Sequence, residues 1–221
     1  MTKNIKLIEE PDLLINARNP QGELGDKLLD DMNVNHESLA RWSVSHLDIT
    51  KEDTILDIGC GGGVNVKRFL EMTQNMVCGI DYSELSVERS TKLNQAVIDE
   101  GRCEIIHGSV SSLPFEDNTF DIATGFETVY FWPDFVNDLK EVRRVLKDDG
   151  IIFIANEALP KEDDERQKEL IELLNMKIYS EDELDESLRK AGFSNVICFT
   201  KESKDSFTGE DANWICVIAQ K

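Results

Sequence analysis

The sequence is poor in basic residues, with 24 Lys and Arg against 44 Asp and Glu among 221 residues and a formal net charge of −20 at pH 7. Proteins that bind nucleic acids draw much of their affinity from Lys and Arg side chains that replace counterions on the phosphates. Anionic membrane surfaces attract proteins through the same residues. The composition therefore predicts that neither nucleic acid nor a membrane is a partner. Solubility explains the acidity better than attraction of a cationic substrate does.

Long hydrophobic runs and paired cysteines are also absent. No stretch of about eighteen apolar residues is present, so no membrane-spanning helix is expected. The first residues meet charge and proline before any apolar run forms, unlike a secretory signal peptide. The five cysteines stand singly, mostly in apolar runs, without the spacing of a zinc site. We therefore expect a cytoplasmic protein that binds no metal and whose cysteines are reduced and buried.

The chain is long enough for one domain with a shaped pocket. Five short apolar runs rich in Ile, Val and Phe alternate with longer segments that carry apolar residues at helical spacing. This alternation is typical of a parallel sheet covered by helices on both faces. The predicted strands are 54–58, 76–81, 103–107, 120–125 and 151–155, and the predicted helices between them include 84–99 and 134–147.

The two ends of the chain add further elements. A helix is predicted between a capping box at Ser180 and Glu183 and a stop at Gly192, and two last strands follow at 195–199 and 214–219.

Residues 1–50 are partly helical and amphipathic, and we expect them to form a cap or lid over a domain of residues 51–221. Within that domain, residues 157–180 are interpreted as a helical insertion, with a charged helix at 160–175.

The stretch "ILDIGCGGGVN", residues 55–65, places four glycines where the first strand passes into a helix. In a doubly wound sheet this turn lies at the carboxyl edge, where glycine lets the backbone approach a ligand. The dinucleotide spacing G-x-G-x-x-G fails, because its third glycine would fall at Val64. Asp57 instead precedes the glycines, and a carboxylate there suits a ligand that carries an ammonium group.

Asp81 ends the second strand about twenty residues further along the chain. A carboxylate at this position can accept hydrogen bonds from both hydroxyls of a ribose. A glycine-rich turn alone is weak evidence of a ligand site. The turn and the acidic residue together, at this spacing, indicate a nucleoside cofactor.

These motifs resemble those of the class I S-adenosylmethionine-dependent methyltransferases, in particular the small-molecule branch called methyltransferase type 11. "ILDIGCGGG" matches the family's glycine motif and "GIDYS" its ribose-binding strand end, while "SLPFEDNTFDIATGFETVYFWPD" and "DLKEVRRVLKDDG" match its third and fourth strand regions. The resemblance covers about residues 50–156. It implies a Rossmann-like α/β fold with a seven-stranded, mostly parallel sheet in the order 3-2-1-4-5-7-6, whose antiparallel last strand would be 214–219.

The resemblance also implies the cofactor, S-adenosyl-L-methionine, and most of its binding residues. Gly59, Gly61 and Gly63 would line the methionine tail, Asp81 would hold the ribose, and Tyr82 would lie against the adenine.

Four further residues follow the third and fourth strands. Gly125 and Phe126 would offer backbone carbonyls near the methionine ammonium, and the backbone amide of Val110 would face the adenine. Ser109 stands where the family commonly has an Asp that accepts from the adenine amino group. A serine can still form that hydrogen bond, but it supplies no charge.

Methyl transfer is a displacement at a carbon already activated by sulfonium, so the protein mainly aligns the nucleophile, excludes water and in some cases removes a proton. Glu127 and Tyr130 follow the fourth strand at the pocket mouth and are the main candidates for that last role, and Glu157 follows the fifth strand. His36 is a weaker candidate, because a histidine in such a helical region is more often a surface or lid residue. Phe131 is expected to pack the following helix onto the sheet.

The acceptor is expected to be a small molecule, reached between the region before residue 50 and the insertion at 157–180. "GFETVY" lacks the Asn or Asp, two prolines and an aromatic residue that are typical of enzymes methylating amino groups of nucleic acids and glutamine side chains. The same region offers only Glu127 to a metal, unlike the metal-dependent catechol group. The sequence does not indicate whether O, N, C or S receives the methyl group, nor the oligomeric state.

Two other functions share some of these features. A nicotinamide-dependent oxidoreductase would share the sheet and Asp81, but Val64 breaks its fingerprint and the sequence has no Tyr-x-x-x-Lys pair. A non-catalytic S-adenosylmethionine-binding protein would keep every cofactor residue without needing a base.

Overall fold

A computed structural model describes residues 11–205 and 209–221, so the first ten residues of the expected cap lie outside the described residues. The centre of the fold is a seven-stranded sheet. Its strands are β1 (Ile55–Ile58), β2 (Val77–Asp81), β3 (Cys103–His107), β4 (Phe120–Phe126), β5 (Leu146–Asn156), β6 (Ser194–Lys204) and β7 (Asp211–Gln220).

The strand order is β3-β2-β1-β4-β5-β7-β6. The neighbours from β3 to β5 pair in parallel, whereas β7 runs antiparallel to both β5 and β6. This topology confirms the predicted Rossmann-like α/β fold. The carboxyl ends of β1, β2, β4 and β5 consequently meet at one edge of the sheet.

Helices cover both faces of the sheet and also lie over its carboxyl edge. They are α1 (Pro11–Leu14), α2 (Gly22–Asn35), α3 (Glu37–Val44), α4 (Val64–Met72), α5 (Glu84–Asp99), α6 (Phe135–Val145), α7 (Glu165–Leu174) and α8 (Glu181–Ala191), with 3₁₀ turns at Ile15–Ala17 and Val129–Phe131. None of the helices in the described ranges is both long and apolar enough to cross a membrane.

Side-chain caps begin two of the helices, and one of these caps is predicted from the sequence. Ser83 precedes α5, and its Oγ accepts the backbone N–H of Ser86 at 3.2 Å. Ser180 and Glu183 form the predicted capping box of α8, each side chain accepting the other's backbone N–H, at 3.2 and 3.0 Å. Gly192 follows α8 with a φ of 97°, a left-handed conformation in which glycine carries no steric penalty.

Three strands are longer than the apolar pattern predicts. β5 begins at Leu146, directly after α6, and Leu146 pairs with Phe120 before an irregularity that precedes the pairing of Ile122 with Ile151. β6 and β7 continue past the apolar runs as an antiparallel ribbon that reaches Lys204. These extensions carry exposed polar residues, so they lack the hydrophobic signal on which the prediction depends.

The sheet is buried between two hydrophobic clusters. Leu56 and Ile58 of β1 pack into the cluster on the side of α6 and α8, whereas Ile55 packs into the cluster beneath α4. Alternate residues of the strand therefore face opposite layers, which explains why β1 is apolar throughout. Four of the five cysteines are buried as expected, and Cys198 is half-buried.

The described part of residues 1–50 divides into two units by its packing. α3 lies against the sheet, where Trp42 and Leu47 pack on a cluster that includes Phe153 of β5. α1 and α2 form a separate small cluster with Leu174 of α7. An ion pair of 2.6 Å between Asp26 and Arg89 of α5 holds α2 beside the carboxyl edge.

Candidate active site

The glycine loop between β1 and α4 has two kinds of glycine. A Cβ on Gly59 would lie 2.2 Å from the Thr128 hydroxyl, and one on Gly63 would lie 2.4 Å from that of Ser90, so both glycines are required by protein packing. A Cβ on Gly61 would meet a single side-chain atom within 4 Å, at 3.8 Å. A larger side chain at Gly61 would therefore project into open space.

That space is a cavity of about 190 Å³ at the carboxyl edge, which we call the first cavity. Ala17, Leu29 and Met32 from the N-terminal segment close it from above. Seven of the predicted cofactor residues line it: Gly59, Gly61, Asp81, Tyr82, Ser109, Val110 and Phe126.

The other three predicted cofactor residues lie outside the lining of the first cavity. Gly63 packs on Ser90 of α5, and Gly125 faces the side chains of Thr128 and Val129. Asp57 is only 2% exposed and does not line the first cavity. That its carboxylate suits a ligand with an ammonium group stays a prediction.

Asp81 is positioned by backbone hydrogen bonds at the end of β2. Its Oδ2 accepts the N–H of Gly61 at 2.9 Å and its Oδ1 accepts the N–H of Ser83 at 2.9 Å. Burial raises the pKa of the Asp81 carboxyl, and these two donors counteract the rise. The carboxylate thus joins the glycine loop to the start of α5 and borders the first cavity.

A second cavity of about 210 Å³ adjoins the first. Ala17, Met32, Glu127 and Phe131 line both, so they form the boundary between the two. Much of the second cavity is apolar, with walls from the N-terminal helices and from the segment around α7. These walls include Leu14, Leu28, Leu159, Leu170, Leu174 and Ile178.

Phe131 has a different role from the predicted one. It packs with the small cluster formed by the N-terminal helices and Leu174, instead of fixing α6 to the sheet. The packing onto the sheet is provided by its neighbour Trp132, which is 8% exposed and belongs to the main core. Phe131 ends the 3₁₀ turn Val129–Phe131 and Trp132 follows it, and the two side chains pack against different clusters.

The inner end of the second cavity is polar. Glu127 has a φ of 56°, which is uncommon for a residue other than glycine, and its N–H donates to the Ala155 carbonyl at 2.9 Å. Its Oε1 accepts the backbone N–H of Glu157 at 2.5 Å and the Tyr130 hydroxyl at 3.4 Å. His36, where α2 meets α3, places its Nε2 3.6 Å from the Glu157 carboxylate.

These side chains change each other's acidity. Burial, and then the Glu157 carboxylate, raise the pKa of Glu127 well above its usual range. Burial and the two carboxylates likewise raise the pKa of the Tyr130 hydroxyl. One atom able to ligate a metal ion from each of His36, Glu127 and Glu157 lies within 4.8 Å of the other two. The structure therefore brings together the four residues considered from the sequence, namely Glu127, Tyr130, His36 and Glu157, the last of which the sequence indicates only by its position directly after a strand.

Comparison of the sequence with known proteins identifies the family. Residues 56–154 match the family described as "Methyltransferase domain". The 24-methylenesterol C-methyltransferase 3 of Arabidopsis thaliana is 30% identical over 141 residues, 62% of this chain and 38% of the plant protein. The 27-O-demethylrifamycin SV methyltransferase of Amycolatopsis mediterranei (strain S699) is 30% identical over 153 residues, 66% of this chain and 56% of that protein. The chain thus spans only part of these relatives.

The solved structures agree in fold. Phosphoethanolamine N-methyltransferase 2 of Haemonchus contortus, in complex with S-adenosyl-L-methionine, matches with a TM-score of 0.78 at 14% identity, over 94% of this chain and 60% of that one. The matched family, the sheet order and the named relatives point to the same conclusion. In its fold and over residues 56–154, the chain is similar to the class I S-adenosylmethionine-dependent methyltransferases.

Asp57 is the buried acid of the glycine motif. Its Oδ1 accepts the Thr124 hydroxyl at 2.7 Å, while its Oδ2 has no partner within the described residues. Burial raises the pKa of Asp57 to about 7, against a hydrogen bond from Thr124 that lowers it. The carboxyl therefore keeps its proton in the folded protein at pH values at which the unfolded chain has lost it.

This difference predicts a pH-dependent effect of Asp57→Asn. Above pH 4 the unfolded carboxyl ionises while the folded one stays neutral, so the wild type loses stability as the pH rises to about 7. A difference of about three pKa units between the folded and the unfolded chain corresponds to about 4 kcal/mol of unfolding free energy. Asp57→Asn keeps the hydrogen bond from Thr124, so its stability relative to wild type should increase over this pH range and stay constant above it. Urea unfolding at a series of pH values measures this.

The control for Asp57→Asn is Asp185→Asn. The Arg189 guanidinium, 2.8 Å away, lowers the pKa of Asp185, so removing that carboxylate should destabilise the protein above pH 4. A stability difference for Asp57→Asn that is the same at every pH would contradict the raised pKa.

Proposed function

We propose that this protein transfers a methyl group from S-adenosyl-L-methionine to a small-molecule acceptor, with the cofactor in the first cavity and the acceptor in the second. The contact of the two cavities at Glu127 and Phe131 is the observation that carries the proposal. A direct displacement requires the nucleophile and the methyl carbon to approach within about 3 to 3.5 Å. Two adjoining cavities at the carboxyl edge satisfy that requirement.

The residues of the first cavity suit this cofactor. The bare backbone of Gly61 gives space for a methionine tail, and the Asp81 carboxylate can accept from the ribose hydroxyls. The Tyr82 ring is 42% exposed and its hydroxyl donates to the Arg18 carbonyl, which leaves a ring face available for the adenine. Ser109 and Val110 complete the adenine side.

When bound, the cofactor supplies a methyl group on a sulfonium that leaves as a neutral thioether. The protein's part is to orient the acceptor, exclude water and take up a proton. Glu127 can receive that proton, because it lines both cavities. Glu157 can share this role, because it lines the second cavity beside Glu127 and its backbone N–H donates to Glu127 Oε1. Met32 and Phe131 give this boundary an apolar surface that keeps water out.

We further propose that α1 and α2 act as the cap over both cavities. The Ser83 hydroxyl donates to the Pro20 carbonyl at 2.8 Å, so the segment before α2 is attached to the strand end that carries Asp81. Leu28 of α2 borders the second cavity, and Leu29 borders the first. Cofactor exchange would then require this segment to move.

A small-molecule acceptor is supported by the relatives, which are named for sterol, rifamycin and menaquinone substrates. Cofactor binding without catalysis is the second candidate. It is less favoured because Glu127 adopts an uncommon backbone conformation at the boundary of the cavities, a cost that cofactor binding alone would not require.

Asp81 and Ser109 test the placement of the cofactor. The Asp81 carboxylate is expected to form two charge-assisted hydrogen bonds with the ribose, each contributing about 1.5 to 3 kcal/mol, so Asp81→Ala should weaken cofactor binding by at least roughly tenfold. Ser109→Ala removes a neutral contact of about 1 kcal/mol and should have a smaller effect. Calorimetric titration with S-adenosylmethionine gives both values, and the opposite ranking would show that the adenosine lies elsewhere.

The function itself is tested in two steps. Thermal unfolding with S-adenosylmethionine, S-adenosylhomocysteine or NADH should show stabilisation by the first two only, since a ligand that binds the folded state raises its melting temperature. A screen of small molecules with S-adenosylmethionine labelled in its methyl group should then give a labelled product. Stabilisation without any product would favour the binding protein, and stabilisation by NADH alone would favour the oxidoreductase.

A further inference from the structure

The second cavity is strongly acidic. The described residues that line it include six carboxylates against two permanently charged cations, Lys161 and Arg166. Both cations lie beside acids, since Arg166 is 2.7 Å from Glu210 and Lys161 is 3.7 Å from Asp164. The six carboxylates belong to Glu127, Glu157, Asp164, Asp205, Glu210 and Asp211. An acceptor that carries a phosphate or carboxylate would be repelled by this lining.

The acids are not distributed evenly along the cavity. Glu210 and Asp211 are 65% and 92% exposed at the outer rim, where water screens their charge. Glu157 is 8% exposed at the inner end, and Glu127 lies beside it. The two acids at the inner end therefore interact more strongly with a charged ligand than those at the rim do, because charges interact more strongly away from water.

Two neighbouring carboxyl groups in such a place favour a positive charge between them. In the free protein a proton can fill this role, which agrees with the raised pKa of Glu127. A ligand ammonium group would fill the same role with directed hydrogen bonds. The rings of Tyr130 and Phe131, which also line this end, add favourable contacts for a cation.

The rest of the second cavity indicates the body of the ligand. Leu14 and Leu28 on one side, and Leu170 and Leu174 on the other, form apolar walls between the N-terminal helices and α7. The volume of about 210 Å³ is similar to the 190 Å³ of the first cavity. The acceptor can therefore be about as bulky as the cofactor, and most of its surface must be apolar.

We propose that the methyl acceptor is a hydrophobic primary or secondary amine, bound as its ammonium form with the nitrogen at Glu127 and Glu157 and its apolar body between α2 and α7. The inference rests on the proposed function and specifies its substrate class. It assigns to the acidity of this cavity a role in substrate binding, where composition alone favoured solubility.

The reaction of such an amine balances without a further reactant. The ammonium first gives one proton to the Glu127 and Glu157 pair, which frees the nitrogen lone pair. The nitrogen then forms a bond to the methyl carbon as the carbon–sulfur bond breaks and its electrons stay on sulfur. The products are the methylated ammonium, S-adenosylhomocysteine and one proton, which passes from the carboxyl pair to water.

Three matched ligands test the amine preference: 4-phenylbutylamine, 4-phenylbutanol and 4-phenylbutyrate. Each is titrated by calorimetry into the protein saturated with S-adenosylhomocysteine. The amine is expected to bind at least roughly tenfold more tightly than the alcohol, and the carboxylate more weakly still. Because the bound ammonium would replace the proton favoured by the raised pKa of Glu127, binding should also release protons, which appears as a heat that depends on the ionisation enthalpy of the buffer.

Variants separate charge recognition from apolar binding. Glu127→Gln and Glu157→Gln should each weaken the amine roughly tenfold or more and leave the alcohol within about threefold. Leu170→Ala in the apolar wall is the matched control and should weaken amine and alcohol equally. Equal affinity for amine and alcohol, tighter binding of the carboxylate, or no binding of the amine at millimolar concentration would each overturn the proposal.

The same titrations address a metal at His36, Glu127 and Glu157. Amine binding that is unchanged by EDTA supports the proposal, whereas tight binding of the alcohol only with added Mn²⁺ would overturn it in favour of a metal site. Failure of the proposed function is a separate result. In that case S-adenosylhomocysteine itself would not bind, or a labelled-methyl assay would give no product with any acceptor.

Discussion

Gly61→Val is expected to abolish measurable binding of S-adenosylmethionine while the sheet stays folded. The Cβ at this position would meet a single side-chain atom, at 3.8 Å, so the protein itself has space for a larger side chain. That space belongs to the first cavity, where the valine methyl groups would occupy the volume proposed for the cofactor. Calorimetric titration measures the loss of affinity, and circular dichroism reports whether the fold is kept.

Backbone strain is a second effect of this substitution, and a matched control removes it from the comparison. Gly61 has a φ of 51°, a left-handed conformation that costs other residues about 1 to 2 kcal/mol. Gly101, in the turn before β3, has a φ of 75° and no atom within 4 Å of its Cβ position. Gly101→Val should therefore lower the melting temperature to a similar extent without changing cofactor affinity.

Gly61→Ala serves if the valine variant does not fold. Alanine causes less strain than a β-branched residue, and its methyl group still enters the first cavity. Cofactor affinity near that of wild type in a folded Gly61 variant would show that this glycine serves only the turn.

The glycine loop also shows how far the sequence alone could lead. Its spacing predicts a cofactor site, and the alternation of strands and helices predicts a parallel sheet covered by helices, because both are local patterns of the sequence. The order of the strands is implied only by the family resemblance. The spacing does not show which glycine faces the ligand. Thr128 and Ser90, which come from distant segments, fill the space at Gly59 and Gly63 and leave Gly61 open.

The arrangement at the inner end of the second cavity depends even more on tertiary structure, so the sequence alone could not predict it. Glu127 and Glu157 follow different strands, and they meet because β4 and β5 pair in parallel with Phe126 opposite Ala155. His36 reaches them only through the packing of α2 over the edge, which no local pattern encodes. The sequence selects Glu127 and Glu157 only by their positions after strands, and among 44 acidic residues it does not show that these two meet.

Asp57 is a different case, because the sequence motif identified the residue but did not predict its contacts. An acid at the end of β1 suggested a ligand that carries an ammonium group. In the structure its Oδ1 accepts the Thr124 hydroxyl of β4, and the residue lies outside the lining of the first cavity. A residue type in a motif thus predicts a role in the site, whereas its contacts depend on the neighbouring strand.

Glu127→Gln is expected to lower kcat by roughly a hundredfold or more, with little change in affinity for S-adenosylmethionine. Glutamine has nearly the same shape, and its Oε1 can still accept the N–H of Glu157, so the left-handed turn should be kept. The glycine loop and Asp81 would still hold the cofactor. What is lost is the negative charge that takes up the proton from the acceptor.

The pH profile distinguishes a base from a residue that only positions the acceptor. Burial and Glu157 raise the pKa of Glu127 in the free protein, and a base works in its ionised form, so wild-type kcat/KM should increase with pH through that raised pKa. Glu127→Gln should flatten this part of the profile. A loss of only a few-fold, with the pH dependence unchanged, would indicate positioning.

Tyr130→Phe is the matched variant for the same hydrogen bond. It removes the hydroxyl that donates to Glu127 Oε1 at 3.4 Å and keeps the ring, so it should lower kcat less than Glu127→Gln does. It should also shift the pH profile to higher pH, because the variant lacks a donor that stabilises the ionised Glu127 carboxylate. Stopped-flow single-turnover measurements separate this chemical step from product release. If both variants instead lose cofactor binding while remaining folded, Glu127 and Tyr130 belong to the cofactor site, and the acceptor must contact His36 and Glu157 without them.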